Sequence, residues 1–99
     1  MSIPQRMSEE EIQRNMIDIP LWDFEDNSLV REYVCSNFAA AVGFVNAVAV
    51  VAGTLGHHPD ILIYGWNKVR LKSSTNDAGG VSEFDFLLAR KIEELGFGM

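Results

Sequence analysis

A stretch without any charged residue, from Tyr33 to Gly56, constrains the fold of this chain more than any other feature. Within it, "FAAAVGFVNAVAVVAGTL" (38–55) predicts a long helix with Asn37 as its N-cap. The apolar side chains form two stripes: Phe38, Val42, Val45, Ala49 and Ala52 on one side, and Phe44, Val48, Val51 and Leu55 on the other. A helix that covers one sheet needs only one such stripe. We therefore expect the second stripe to face another copy of the chain, in a homodimer or homotetramer. The alternative is that the flanking helices of the same chain cover this second stripe.

The same stretch is long enough to cross a bilayer, but its composition does not fit a membrane span. It is rich in alanine, valine and glycine rather than leucine, and it contains the polar residues Asn46 and Thr54. The N-terminal "MSIPQRMSEE" has no apolar run of the kind that a secretory signal requires. Cys35 is the only cysteine, so an intrachain disulfide is excluded and a reducing compartment is the default. We expect a cytoplasmic protein that does not enter membranes.

The charge of the chain argues against nucleic acid as a partner. The formal net charge is −6 and the sequence pI is about 4.7, whereas proteins that bind the phosphate backbone present basic patches. The single basic row, formed by Lys68, Arg70 and Lys72, is interpreted as the solvent-facing side of a strand.

The remaining elements are predicted from hydrophobic periodicity and capping residues. Ser8 begins a first helix that Pro20 ends. Four strand patterns follow around the long helix, at 21–25, 29–35, 60–66 and 67–75, with short links that make two antiparallel hairpins. "DILIYGW" is apolar enough for a central strand, and "NKVRLKSST" alternates strictly. Ser82 caps the last helix, with Asp85 at the position of a capping-box acid.

This order predicts one domain over residues 1–99. The predicted class is α+β: a four-stranded antiparallel sheet with three helices on one face, in the order α-β-β-α-β-β-α.

The only two histidines, His57 and His58, stand together in "LGHHPDI", at the end of the long helix. Adjacent histidines rarely chelate one ion, and no further His or Cys pair accompanies them, so a metal site is not expected. Nucleophilic catalysis has no matching motif around Cys35 or the Ser73–Thr75 segment. Histidine titrates near neutrality and suits general acid–base chemistry. The residue types leave this role open beside capping of the helix C-terminus.

Several motifs together resemble the pterin-4a-carbinolamine dehydratase family, also called 4a-hydroxytetrahydrobiopterin dehydratase. They are "GHHPDI", then "GWNKV", then the pattern ST-N-DAGG-SE-D, preceded by "LVREYVCSNFAAAVGFVNAVA". The similarity covers roughly residues 21 to 95. It implies a four-stranded antiparallel sheet with three helices, assembled into dimers or tetramers through helices.

The resemblance also implies a hydro-lyase reaction, the loss of water from 4a-hydroxytetrahydropterin to give quinonoid dihydropterin. The pterin is the substrate, and neither a metal nor an organic cofactor is implied. By position, the catalytic residues are His57, His58 and Asn76, and His57 is the leading acid–base candidate. The residues implied to bind substrate are Gly56, His57, His58, Ser74, Thr75, Asn76 and Asp77. Asp85 matches the aspartate that opens the family's last helix.

One departure from the family pattern affects the expected activity. Asn76 stands where the family usually has a third catalytic histidine, and asparagine forms hydrogen bonds but cannot shuttle a proton. The resemblance therefore allows weakened catalysis. It also allows a catalytically silent protein with a protein partner, since some members bind the dimerisation helices of a homeodomain transcription factor and a carboxysome-linked branch is associated with Rubisco assembly.

Overall fold

A computed structural model describes residues 4–96, so the predicted domain of residues 1–99 extends beyond the described residues at both ends. Within residues 4–96 the helices and longer strands follow the predicted order, α-β-β-α-β-β-α. They are α1 (Glu9–Asn15), β1 (Asp23–Glu25), β2 (Ser28–Val34), α2 (Phe38–Leu55), β3 (Asp60–Tyr64), β4 (Lys68–Ser73) and α3 (Glu83–Glu93). Two 3-10 turns, Met16–Asp18 and Asn76–Ala78, lie between them. The predicted α+β class, with a four-stranded antiparallel sheet and three helices, is confirmed.

Each helix begins at the predicted capping residue. The Ser8 hydroxyl accepts from the backbone of Glu11, whose carboxylate accepts in turn from the Ser8 N–H, which forms a complete capping box. The Asn37 side chain accepts from the third residue of α2. Ser82 and Asp85 form a second capping box at the start of α3. Such caps satisfy backbone N–H groups that the helix itself leaves unpaired, so local sequence is enough to locate them.

The sheet has the strand order β1-β2-β4-β3, with every neighbouring pair antiparallel. The prediction that β3 is a central strand is wrong, because β3 pairs with β4 at one edge of the described sheet. Its apolar run reflects burial of one face: Ile61 and Ile63 pack against the core, whereas Leu62 is 53% exposed on the other face. The chain crosses over through α2 between the two hairpins, so that β4 pairs with β2 and β3 lies on the far side of β4.

The packed face of α2 comprises Ala41, Phe44, Val48 and Ala52, all of them buried. Assigning Ala52 to the opposite stripe was wrong, since it continues the four-residue spacing of the buried positions. On the other predicted stripe, Phe38 is 57% exposed and Val42 is 37% exposed. By length and composition α2 is also apolar enough to cross a bilayer, a criterion that core helices of soluble proteins meet as well. The uncovered stripe is consistent with the predicted homo-oligomer, which remains a prediction.

A buried polar cluster joins β2 to the end of α3. The Glu93 carboxylate pairs with Arg31 (Nε–Oε1 3.2 Å) and accepts hydrogen bonds from the Trp22 indole and the Tyr33 hydroxyl, each at 3.1 Å. The Arg31 guanidinium also lies 3.9 Å from the centre of the Tyr33 ring. Burial raises the pKa of Tyr33 well above its ordinary value, and the nearby Glu93 charge adds to the effect.

Candidate active site

The C-terminal end of α2 fixes the position of His57. Gly56 adopts a left-handed conformation (φ 66°, ψ 28°), which glycine accepts without strain. Its N–H donates to the Gly53 carbonyl at 3.3 Å, and the His57 N–H donates to the Ala52 carbonyl at 3.1 Å. This pair of bonds is a Schellman motif, which ends a helix and turns the chain sharply. The backbone of the first histidine is therefore held by α2 itself.

The side chain of His57 is held by a buried carboxylate. Its Nε2 lies 2.6 Å from Oδ1 of Asp85, and the side chains of His57 and Asp85 are 15% and 0% exposed. The Phe84 ring lies beside the imidazole, with the two ring centres 6.0 Å apart. The sequence placed Asp85 in a capping box and matched it to a family position, but it did not predict this contact with His57.

Asp85 is surrounded by hydrogen-bond donors. Besides His57, Oδ1 accepts from the hydroxyl of Ser73, while Oδ2 accepts from the Thr75 hydroxyl at 2.7 Å and from the Ser82 N–H at 2.9 Å. Ser82 also hydrogen-bonds Thr75 through its hydroxyl, at 2.7 Å. An ionised carboxylate only accepts, so this set of partners fits an ionised Asp85 facing a protonated Nε2.

This geometry determines what His57 can do chemically. With Nε2 donating to the carboxylate, the neutral ring carries its lone pair on Nδ1. A histidine oriented in this way acts as a base through its other nitrogen, and the carboxylate stabilises the imidazolium that forms. The pair of His57 and Asp85 is therefore arranged for proton transfer, which the residue types alone left open beside helix capping.

The loop after β4 carries the second group of predicted site residues. Thr75 and Gly80 close the loop with backbone hydrogen bonds in both directions, of 2.8 and 3.3 Å, around the 3-10 turn. Asn27, in the β1–β2 turn, donates from its amide to the Gly79 carbonyl at 2.8 Å. A Cβ on Gly80 would stand only 2.8 Å from the Asn27 side-chain oxygen, so a larger residue there would force the Asn27 side chain to shift. The β1–β2 turn thus braces this loop.

All the residues predicted to bind substrate line one open cleft of about 360 Å³: Gly56, His57, His58, Ser74, Thr75, Asn76 and Asp77. We call it the polar chamber. A second cleft of about 650 Å³, the apolar chamber, adds Pro4, Leu55 and Phe84. The residues common to both chambers form the shared wall: Gly56, His57, Thr75 and Asp77. Each volume falls in the range of small-molecule sites.

The predicted site residues differ in how they meet the cleft. His58, Asn76 and Asp77 are exposed, whereas Thr75 is buried and its hydroxyl is engaged with Asp85. Sequence reasoning did not select Ser73, which donates to the carboxylate, or the residues that the apolar chamber adds: Pro4, Leu55 and Phe84. The signal for Ser73 was a polar residue at an inward-facing strand position. Within residues 4–96, no group of three or more His, Cys, Asp or Glu side chains is arranged to hold a metal ion.

The fold and the cleft define the class of protein: a small α+β domain with a histidine–carboxylate pair suited to acid–base chemistry on a small molecule. Residues 5–95 match the sequence profile of the pterin 4 alpha carbinolamine dehydratase family, and the chain belongs to that family. A relative from Chloroflexus aurantiacus, provisionally named a pterin-4-alpha-carbinolamine dehydratase, is 48% identical over 90 residues, which cover 91% of this chain and 96% of the relative. The predicted resemblance is confirmed.

Solved structures agree with the family assignment. The transcriptional coactivator/pterin dehydratase from Brucella melitensis superposes with a TM-score of 0.85 at 28% identity, covering 92% of this chain and 98% of that one. A pterin dehydratase-like protein, identified as a RuBisCO assembly factor in the alpha-carboxysome, has a TM-score of 0.61 at 19% identity, over 79% of this chain and 89% of that one. The second similarity extends to the fold alone.

Proposed function

We propose that this protein catalyses the dehydration of 4a-hydroxytetrahydropterin to quinonoid dihydropterin. The observation that carries the proposal is the His57–Asp85 pair, at 2.6 Å, on the wall of a cleft of suitable size. Membership of the dehydratase family supports the same reaction. The pterin is the substrate, and the chemistry needs no metal or organic cofactor.

The reaction converts a carbinolamine into an imine. The bond between C4a and its hydroxyl oxygen breaks, the proton on N5 is removed, and a C4a–N5 double bond forms. A proton supplied to the departing hydroxyl makes it water, so one proton is taken up and one is delivered. The enzyme must therefore present a base near N5 and an acid near the hydroxyl.

His57 suits the role of the base, because Asp85 holds Nε2 and leaves Nδ1 for the substrate. His58 lies on the same cleft, exposed, and suits delivery of a proton to the hydroxyl. Asn76 faces the cleft from the braced loop and can donate and accept hydrogen bonds with the pterin. In this arrangement two histidines carry out the proton transfers, and Asn76 orients the substrate.

The proposal is tested by following the dehydration of freshly generated 4a-hydroxytetrahydropterin. We expect a rate above the spontaneous one for the natural protein, and a loss of about 10²–10⁴-fold in His57→Ala. The variant Asn76→His is expected to raise the rate further by adding a third proton carrier. Gln13→His, which adds a histidine at an exposed position of α1, is the matched control. A natural protein that does not exceed the spontaneous rate would contradict the proposal.

A second candidate function is that of a catalytically silent protein-binding or assembly factor. The exposed apolar stripe of α2 favours it, since Phe38 and Val42, four residues apart on one face, are 57% and 37% exposed in the single chain. The same stripe would form the predicted homodimer or homotetramer. Light scattering on the natural protein and on Val42→Glu tests self-association. If the protein functions by binding a partner, His57→Ala retains that partner and Val42→Glu loses it.

A further inference from the structure

The two chambers that meet at the shared wall differ in chemistry. The polar chamber adds His58, Ser74 and Asn76 to the wall, whereas the apolar chamber adds two large apolar side chains, Leu55 and Phe84. His57 belongs to the wall between them. A ligand that reacts at His57 therefore has one part in a polar setting and the other part in an apolar one.

A tetrahydropterin matches this division, because its reacting carbon lies where its two rings are fused. With C4a at the shared wall, the pyrimidine ring and the reduced pyrazine ring point in opposite directions. The pyrimidine ring carries the amino and oxo groups and suits the chamber that contains Ser74 and Asn76. The pyrazine ring and its C6 substituent are then directed towards Leu55 and Phe84.

The charges around the chambers restrict that substituent. Asp77 lies on the shared wall and contributes a formal negative charge to both chambers. Among the residues that the structure describes, no lysine or arginine lines either chamber. A carboxylate or phosphate on C6 would meet an apolar surface and a like charge without a cation to pair with, and both effects oppose binding.

We infer that Phe84 is a specificity-determining residue, and that the apolar chamber accepts pterins with an uncharged C6 substituent and rejects those with an anionic one. This inference rests on the proposed function, because it uses the reacting carbon to orient the ligand. The Phe84 ring supplies the apolar surface that the substituent contacts, and the Asp77 carboxylate disfavours negative charge beside it.

The experiment compares two fluorescent ligands that differ only at C6: 6-hydroxymethylpterin, which is neutral there, and pterin-6-carboxylate. Equilibrium binding to the natural protein is measured at pH 8. We expect the neutral ligand to bind at least about tenfold more tightly, the order of effect that a like charge a few ångströms away produces near a protein surface.

Phe84→Lys reverses the chemistry of the apolar chamber by replacing its aromatic side chain with a cation. We expect this variant to bind the carboxylate ligand about tenfold more tightly than the natural protein does. Trp66→Lys makes the same aromatic-to-cation exchange in the β3–β4 turn, at the opposite end of that hairpin from the site, where Trp66 is 61% exposed. This control should leave the affinities for both ligands unchanged. The comparison of the two ligands on the natural protein needs no variant, so it decides the preference even if Phe84→Lys does not fold.

The outcomes separate the inference from the proposed function. Equal affinities, or tighter binding of pterin-6-carboxylate by the natural protein, overturn the inference and leave the dehydratase proposal standing. Failure of both ligands to bind contradicts the proposed function, and the inference with it. If Phe84→Lys and Trp66→Lys increase the affinity for pterin-6-carboxylate equally, the effect comes from the overall charge, and the inference is also overturned.

Discussion

Replacing Asp85 with asparagine tests the reasoning about the site most directly. The substitution keeps the size of the side chain but exchanges one acceptor oxygen for an amide that donates. The backbone N–H of Ser82 is a fixed donor to Oδ2, so the amide oxygen must occupy that side. The amide nitrogen then takes the place of Oδ1, which contacts His57 and Ser73.

A donor facing Nε2 forces His57 into its other tautomer. The imidazole then accepts at Nε2 and carries its proton on Nδ1, so Nδ1 cannot act as the base that the proposed dehydration requires. Loss of one general base costs about 10²–10⁴-fold in rate. The hydrogen bonds around position 85 also lose an ionised acceptor, which weakens them, whereas a neutral amide costs less to bury than a carboxylate. We expect the two effects together to lower the free energy of unfolding by about 1–3 kcal/mol.

Three measurements check this prediction for Asp85→Asn: the dehydration rate, the ¹⁵N chemical shifts of the His57 ring, and urea unfolding. We expect the slow variant to show a protonated Nδ1, whereas the natural protein shows a protonated Nε2. Asp23→Asn removes the same charge from an exposed position on β1, at the opposite edge of the sheet from β3, and should leave all three unchanged. A variant with the natural rate, or with Nε2 still protonated, would refute the argument.

Three further predictions concern the scaffold. Gly56→Ala should lower the free energy of unfolding by about 1–2 kcal/mol, because Gly56 has a φ of 66° that alanine adopts only with strain. Gly53→Ala is the contrast, since Gly53 lies within α2 and has open space where a Cβ would stand. It should raise the free energy of unfolding by up to about 1 kcal/mol in the same urea titration. Because burial raises the pKa of Tyr33, the folded state favours the neutral phenol. The stability that this gives is complete below the ordinary tyrosine pKa and is lost as the pH rises through the raised pKa of the folded state. Tyr33→Phe should therefore reduce the fall in stability that denaturation measures above pH 10. Asn27→Gly keeps the positive φ of its turn but removes the amide that braces the loop after β4, so it should raise KM up to about tenfold with little change in kcat. Asp26→Gly, in the same turn, is the control. Equal KM values for the two variants would contradict the role of the Asn27 amide.

Local interactions were readable from the sequence by itself. The caps Ser8, Asn37 and Ser82 were predicted because each satisfies N–H groups only two or three residues away. The alternation in β4 located Val69 and Leu71 on the inward face because successive strand residues point to opposite sides. The element order, and with it the fold class, followed from these short-range patterns.

Only the tertiary structure decided which distant segments meet. The apolar run of β3 predicted burial but not its edge position, because hydrophobicity does not specify a pairing partner. Likewise, His57 and Asp85 are 28 positions apart and come together only when the C-terminal end of α2 and the N-terminal end of α3 meet beside the end of β4. The sequence supplied the histidine and the carboxylate, and long-range packing placed them 2.6 Å apart.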